Sequence, residues 1–273
     1  MPSIAQIKHI ASLRMPKFRQ KYGQFVVEGR KAVEEVFHSG WEIEGIWGTP
    51  AFAERFSPAY DFEWMTEEEN KKCSGFDTPP GILALVRMPE MKELDLLEPF
   101  ILALDGISDP GNMGTIIRLA DWYGLTQILA SEDCVDVYNA KCLSATMGSF
   151  LRVEVVYSKL HPAAAGRRVY GAVLDGTSVH GLKIQSPSML IVGSESHGIR
   201  PEATGTVMLA RNAPARRAGD SLGRHRALAL DDHPVLPGLA VAGEVERRRL
   251  VGIAQVEVAA RDRQFIAGGR AGG

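Results

Sequence analysis

Residues 101–121 read Ile101-Leu-Ala-Leu-Asp-Gly-Ile-Ser-Asp-Pro-Gly-Asn112-Met-Gly-Thr-Ile-Ile-Arg118-Leu-Ala-Asp121. The apolar run Ile101–Leu104 predicts a short buried strand of a parallel sheet. Two turn sequences, Asp-Gly and Asp-Pro-Gly, follow the run, and Asn112 is placed to cap a helix over Met113–Tyr123. Arg118 lies in the second turn of that helix. The stretch therefore predicts a cation near the carboxyl end of a strand, where open α/β sheets bind their ligands.

The same stretch lacks the glycine pattern of a dinucleotide-binding loop. Gly111 and Gly114 do not have the G-x-G-x-x-G spacing, and no acidic residue ends a second strand at the expected distance. Taken alone, the stretch is equally well explained as an ordinary strand-turn-helix with Arg118 in a surface ion pair.

Length and composition indicate a globular protein of one or two domains. The chain has 273 residues and a formal net charge of -2, so its overall charge does not predict a polyanionic partner. Cys73, Cys134 and Cys142 are odd in number and lack metal-ligand spacing, which is typical of reduced cytosolic thiols. No signal segment or membrane-spanning run is seen, so we expect a soluble cytoplasmic protein without a membrane partner.

Two α/β regions precede a compositionally different tail. Residues 1–90 alternate strand and helix patterns, which predicts a small α/β domain, and residues 88–99 are an acidic, proline-containing linker. Residues 98–222 hold the second domain, where apolar runs alternate with helical stretches as in a parallel sheet covered on both faces. Its predicted strands are Ile101–Leu104, Gln127–Ala130, Val153–Val156, Val169–Val173 and Met189–Val192.

A second motif follows the last of these strands. Residues 190–199 read Leu-Ile-Val-Gly193-Ser-Glu195-Ser-His-Gly198-Ile, so an apolar strand again ends in a glycine. Small residues let a ligand approach backbone N–H groups, and Glu195 can accept hydrogen bonds from hydroxyls or amines. A strand followed by an ordinary turn is the alternative, since the pattern is short.

Basic residues cluster near the N-terminus, in a predicted loop over residues 14–23. Phe18 and Tyr22 are interleaved with the cations, an arrangement suited to contacts with phosphates and to stacking on RNA bases. A solvated charged loop is the more common explanation of such a run. The candidate RNA-binding residues are Arg14, Lys17, Arg19 and Lys21. Metal binding is not predicted, because His161, His180 and His197 show no paired spacing.

Together the two motifs resemble the SpoU/TrmH family of RNA ribose 2'-O-methyltransferases, members of the SPOUT class. The family pattern Asn-x-Gly-x-x-x-Arg is matched by Asn112, Gly114 and Arg118, and Gly-x-Glu-x-x-Gly by Gly193, Glu195 and Gly198. Residues 1–87, with Phe25-Val-Val-Glu-Gly29 and Thr78-Pro-Pro-Gly-Ile-Leu-Ala84, resemble the substrate-binding domain that often precedes the catalytic one.

The resemblance implies a fold, a donor and a set of site residues. The fold is an N-terminal α/β domain followed by an α/β-knot domain with a parallel sheet and a deep trefoil knot. The methyl donor is S-adenosylmethionine, and the protein is a homodimer. The catalytic residues carried over are Arg118, Asn112, Glu195 and Ser221. The donor-binding residues are Gly193, Gly198, Leu174, Leu209 and Leu222.

After Leu222 the chain departs from the family pattern. The third family motif continues as Ser-Leu-Asn-Val and an Ala-rich apolar helix, whereas residues 223–226 here are Gly-Arg-His-Arg and Ala210 replaces the motif's Pro. Degenerate codons for residues 224–236, read one register over, permit Val-Ala-Thr-Ala-Leu and then Met-Ile-Thr-Leu-Phe. We therefore hypothesise a frameshift near codon 223, with residues 223–273 out of frame. A lineage-specific basic tail that binds RNA is the alternative.

The sequence thus predicts an enzyme that transfers a methyl group from S-adenosylmethionine to a ribose 2'-hydroxyl of rRNA or tRNA. The alternative from another class is a non-catalytic RNA-binding protein in which the altered third motif prevents donor binding. A generic nucleotide-binding α/β protein is disfavoured, because the phosphate-binding glycine pattern is missing.

Overall fold

The computed structural model describes residues 1–56, 58, 60–178, 184–204 and 207–211. Ser221, Leu222 and the whole of the predicted tail therefore lie outside the described residues. The predicted trefoil knot also lies outside the described residues, because its closure would involve the chain after Arg211.

The N-terminal domain is a four-stranded sheet with helices packed against it. Its helices are α1 (Ile4–Ser12), α2 (Pro16–Tyr22), α3 (Arg30–Ser39), α4 (Pro50–Arg55) and α5 (Glu67–Cys73). Its strands are β1 (Gln24–Glu28), β2 (Ile43–Gly48), β3 (Glu63–Trp64) and β4 (Ile82–Arg87). The sheet order is β1-β4-β2-β3, with β4 antiparallel to both neighbours. The predicted small α/β unit is confirmed.

One part of this domain differs from the prediction. Most of the basic segment that was predicted as a loop is helix α2, which starts at Pro16 and ends against Gly23 in the left-handed conformation (φ 63°). Proline suits the first turn of a helix because its missing N–H has no partner there, and glycine suits the end because it tolerates positive φ.

The second domain is built on a six-stranded sheet. Its strands are β5 (Phe100–Asp105), β6 (Gln127–Ala130), β7 (Glu154–Tyr157), β8 (Arg168–Ser178), β9 (Ser188–Gly193) and β10 (Val207–Arg211). Its helices are α6 (Pro110–Trp122), α7 (Ala140–Thr146), α8 (Leu160–Ala164) and α9 (Pro201–Thr204), with a 3-10 helix at Ser149–Leu151. The order is β10-β8-β9-β5-β6-β7, and all neighbours are parallel, as predicted.

Strand β5 lies in the middle of this sheet, and every one of its residues is buried. Parallel strands covered by helices on both faces lose contact with water along their whole length, which explains their unbroken apolar sequences. The position of β5 also decides where the site forms, because its carboxyl end is flanked by those of β6 and β9.

The two domains pack through an aromatic contact and an ion pair. Phe25 of β1 meets Tyr138 and Phe150 of the second domain, with ring centroids 4.5 and 6.2 Å apart. Nε of Arg19 donates to Oδ2 of Asp136 at 3.0 Å. These contacts hold the N-terminal domain against the segment that leads into α7.

Candidate functional site

The two sequence motifs meet at the carboxyl edge of the parallel sheet. Strands β5 and β9 are neighbours, and Asp105 at the end of one is paired in register with Gly193 at the end of the other. Nδ2 of Asn112 then donates a hydrogen bond to Oε1 of Glu195 at 2.9 Å. The fold therefore joins the Asn-x-Gly-x-x-x-Arg and Gly-x-Glu-x-x-Gly motifs directly.

Helix α6 begins earlier than predicted, and this frees Asn112. Its N-cap is Asp109, whose side chain accepts the backbone N–H of Asn112 at 2.7 Å, and Pro110 occupies the first helical position. The prediction of Asn112 as the cap is therefore wrong. Because Asp109 satisfies the helix end, the side-chain amide of Asn112 is available for Glu195.

Gly114 and Arg118 have different roles on α6: the first is in helix packing, and the second is an exposed charge. A Cβ on Gly114 would lie 2.5 Å from Cβ of Ala145, so the glycine lets α6 and α7 pack closely. Arg118 is exposed, and among the described residues it has no hydrogen bond or ion pair. The ordinary explanation of Arg118 as half of a surface ion pair is thus not supported, and its charge is available to a ligand.

The Gly-x-Glu-x-x-Gly motif is a closed loop. Ser194 and Gly198 exchange two backbone hydrogen bonds, of 3.1 and 2.9 Å. A Cβ on Gly193 would overlap the Gly198 carbonyl group, and Gly198 has a φ of +67°. Both glycines are therefore required, one by close approach and the other by backbone conformation. The loop presents Glu195 at its exposed tip.

An ion pair between the buried Asp105 and the exposed Arg200, which the sequence did not predict, fixes the far end of this loop. Asp105 is 1% exposed and accepts from the backbone N (2.7 Å) and the Nε (2.8 Å) of Arg200. Nη1 of Arg200 also donates to Asp133 at 3.0 Å. The hydroxyl of Ser131, followed by the Arg200 guanidinium, holds the pKa of Asp133 below its usual value. The only sequence signals were an acidic residue at a strand end and an arginine after a glycine motif.

The predicted donor-binding residues that the structure describes gather at one edge. Leu174 lies in β8, Gly193 ends β9, Gly198 closes the following loop and Leu209 lies in β10. Strand β8 lies between β9 and β10, and Leu209 pairs in register with Gly171 of β8.

The chemistry of this part of the site fits S-adenosylmethionine, the methyl donor. The carboxyl end of β9 and the glycine loop that follows it allow close approach to the backbone, at the edge where α/β sheets bind nucleoside-containing ligands. Ser221 and Leu222 lie outside the described residues.

The predicted RNA-binding residues separate into two groups. Arg14, Lys17 and Lys21 are exposed, and the two lysine ammonium groups each lie 5.0 Å from the ring centroid of the next residue, Phe18 or Tyr22. Arg19 is only 2% exposed and donates to Asp136 and to the carbonyl of Leu13 at 2.7 Å. In this arrangement Arg19 joins the domains and is hardly exposed to solvent.

The described residues show three further features, which concern metal binding, membrane spans and cysteines. They contain no group of three or more His, Cys, Asp or Glu side chains placed to hold a metal ion. Within the same part of the chain, no helix is long and apolar enough to cross a membrane. The three cysteines are free and buried, and burial raises the pKa of the Cys73 thiol to about 11 and that of Cys142 to about 12. They are poorly suited to act as nucleophiles.

Two family models match the chain, one for each domain. The SpoU rRNA Methylase family matches residues 99–229, and the MRM3-like substrate binding domain matches residues 5–84. The first match extends a few residues beyond the predicted break after Leu222.

The chain is also similar to named proteins and solved structures. It is 31% identical over 205 residues to the 23S rRNA (guanosine(2553)-2'-O)-methyltransferase RlmP of Bacillus subtilis, covering 71% of this chain and 81% of that protein. It is 27% identical to the mitochondrial rRNA methyltransferase 3 of Xenopus laevis, over 55% of this chain, and spans only 39% of that longer protein.

Among solved structures, a putative RNA methyltransferase of the TrmH family from Porphyromonas gingivalis superposes with a TM-score of 0.67 and 33% identity, covering 81% of this chain and 93% of that one. An AdoMet-bound rRNA methyltransferase from Sinorhizobium meliloti gives a TM-score of 0.64 and 27% identity, covering 82% and 91%.

Proposed function

This chain belongs to the SpoU rRNA methylase family, and from that premise we propose that it methylates a ribose 2'-hydroxyl of ribosomal RNA. S-adenosylmethionine is the methyl donor, as in the AdoMet-bound relative of known structure. The observation that carries the proposal is the hydrogen bond between Asn112 and Glu195, because it brings both family motifs into one site, and the exposed Arg118 follows Asn112 by six residues on the same helix.

Arg118 is proposed to bind the RNA and to stabilise the negative charge that develops on the reacting 2'-oxygen. A ribose hydroxyl is a weak nucleophile until its proton is removed or shared. Arginine stays protonated in proteins, so Arg118 is not suited to take that proton. Its guanidinium instead can bind the adjacent phosphate in a bidentate manner and stabilise negative charge as it develops on the oxygen.

Asn112 and Glu195 are proposed to fix the geometry around that oxygen. The Glu195 carboxylate accepts one hydrogen bond from Asn112, and its further lone pairs can accept the hydrogen bond and then the proton that the 2'-hydroxyl gives up as its oxygen is methylated. The two backbone hydrogen bonds between Ser194 and Gly198 close the loop that carries Glu195, and so hold its carboxylate beside Asn112. Such positioning contributes to rate by holding the reacting groups at attack distance.

The donor is proposed to lie against the carboxyl ends of β8, β9 and β10. Leu174, Gly193, Gly198 and Leu209 would hold it, with Ser221 and Leu222 completing the site. When bound, S-adenosylmethionine supplies an electrophilic methyl group on a positively charged sulfur.

The N-terminal domain is proposed to bind RNA through Arg14, Lys17 and Lys21. Their exposed cations and the neighbouring aromatic rings suit phosphate contacts and base stacking. We also propose a homodimer, which the family resemblance implies. It is supported by Trp122, which is 67% exposed at the end of α6, since large exposed aromatic residues favour interfaces.

An assay on 23S rRNA tests the proposed function. The full chain is incubated with S-adenosylmethionine and an unmodified 23S rRNA transcript, and the RNA is digested to nucleosides for mass spectrometry. We expect one 2'-O-methylnucleoside that is absent without the protein. Calorimetric titration of the protein with S-adenosylmethionine should show binding. RNA binding without donor binding would favour a non-catalytic RNA-binding protein instead.

A further inference from the structure

A cleft between the two domains opens beside the first motif. It has a volume of about 330 Å³ and is lined by residues of both domains, including Arg14 and Glu28 on one side and Pro110, Tyr138 and Lys141 on the other. A cleft of this size lies at the lower end of the range for small-ligand sites and can hold about one nucleotide.

The cleft lies close to the proposed reacting centre. Pro110 is the first residue of α6, and Arg118 follows it by eight residues, which is about 12 Å along a helix axis. Helix α7, which carries Lys141, is fixed against α6 by the close approach of Gly114 and Ala145. A strand of RNA that places its ribose at Arg118 is therefore within reach of the cleft.

The rim of the cleft is basic. Lys141 is exposed, and its side chain has no hydrogen bond or ion pair among the described residues. Across the cleft, Arg14 donates to the backbone carbonyls of Lys71 and Lys72, so the guanidinium is held beside two exposed lysines. Arg14 and Lys141, which are both exposed, thus lie on opposite walls of the opening.

The carboxylates in and next to the cleft already have partners within the protein. Glu28 is buried and accepts from the hydroxyl of Ser74 and from the backbone N of Gly75 at 2.7 Å. Asp136, next to the cleft, is bound by Arg19. The one carboxylate that lines the cleft, Glu28, is therefore buried and hydrogen-bonded, while Arg14 and Lys141 are exposed, and this distribution is complementary to an RNA backbone.

We propose that this interdomain cleft binds the RNA strand that flanks the methylated ribose, with Lys141 and Arg14 contacting its phosphates from opposite walls. This inference rests on the proposed function and deepens it, because it assigns the path of the substrate between the domains. Lys141 is a new RNA-binding residue in this account, and it belongs to the catalytic domain.

The test compares Lys141→Gln with Lys159→Gln in the full chain. Lys159 is an exposed lysine at the start of α8 and lines a different cavity, so it is a matched control. Affinity for the 23S rRNA transcript is measured over a series of salt concentrations. Loss of one phosphate contact should weaken binding about tenfold and reduce the slope of log K against log salt by about 0.7.

Three results decide the inference. Lys141→Gln should raise the KM for RNA with kcat and donor affinity unchanged, Lys141→Arg should restore the salt slope, and Lys159→Gln should match the wild type. An unchanged salt slope in Lys141→Gln would overturn the cleft assignment. If the wild type bound RNA but made no methylated product, the proposed function would fail, while the salt slopes would still decide the cleft.

Discussion

Asn112 and Glu195 are 83 residues apart in sequence, yet they form a 2.9 Å hydrogen bond at the carboxyl edge of the parallel sheet. The contact depends on the adjacency of β5 and β9, which brings the ends of two non-consecutive strands side by side. Site geometry in this protein is therefore a property of strand order as much as of the motifs themselves.

The pair is expected to act as a unit in methyl transfer. Asn112→Ala and Glu195→Ala each remove the same hydrogen bond, so their effects on kcat/KM should not add. A double-mutant cycle should give a coupling free energy of about 1 kcal/mol. Strict additivity of the two losses would show that the hydrogen bond does not contribute to the reaction.

Gly193→Ala is expected to abolish donor binding. The new Cβ would overlap the Gly198 carbonyl group and force the loop open. Gly198→Ala is the matched control, because no atom lies within 4 Å of its Cβ and only the positive φ is costly, at about 1–2 kcal/mol. Calorimetry with S-adenosylmethionine should rank the affinities as wild type, then Gly198→Ala, then Gly193→Ala. The opposite order for the two variants would contradict this account of the loop.

Arg200→Ala is expected to destabilise the fold. Removing the guanidinium leaves the buried Asp105 carboxylate with only the backbone N–H of residue 200, and because Arg200 itself is 45% exposed the loss should be about 1–3 kcal/mol. Asp133→Asn, which changes the exposed partner of the same arginine, should cost less than about 1 kcal/mol. Urea denaturation measures the free energy of unfolding of both variants. Similar losses of unfolding free energy in the two variants would mean that the burial of Asp105 does not determine how much its ion pair contributes to stability.

The coding DNA tests the explanation of the C-terminal segment. We expect the nucleotides after codon 222, shifted by one register, to encode Val-Ala-Thr-Ala-Leu and then Met-Ile-Thr-Leu-Phe. Resequencing the gene from an independent isolate should show the in-frame form. Nucleotides that encode no apolar helix in either other frame would favour a basic tail of this protein's own.

The sequence could predict the elements of the site but not all of its contacts. Ile101–Leu104 and the strand ending at Gly193 are apolar runs closed by turn residues, so local pattern was sufficient. The Asp105–Arg200 pair was missed, because an acidic residue at a strand end and an arginine after a loop are individually common. Their pairing depends on sheet order, which periodicity does not encode.

The burial of Arg19 in the N-terminal domain is a second feature that the sequence could not predict. Pro16 and Gly23 are ordinary helix start and stop signals, but the dense positive charge between them favoured a loop in the sequence analysis. Burial of Arg19 depends on Asp136, which lies 117 residues further along the chain. The sequence pattern therefore groups four cations, of which three are exposed to solvent in the structure.

Methyl transfer by Arg118→Ala tests the central claim most directly. The measurement is the amount of 2'-O-methylnucleoside formed in 23S rRNA by wild type and variant, with calorimetry of S-adenosylmethionine on the same samples. Arg118 is exposed and outside the proposed donor edge, so the variant should bind the donor as the wild type does and form no product. Full product formation by Arg118→Ala would contradict the assignment of the reacting centre, and so would loss of donor affinity in that variant.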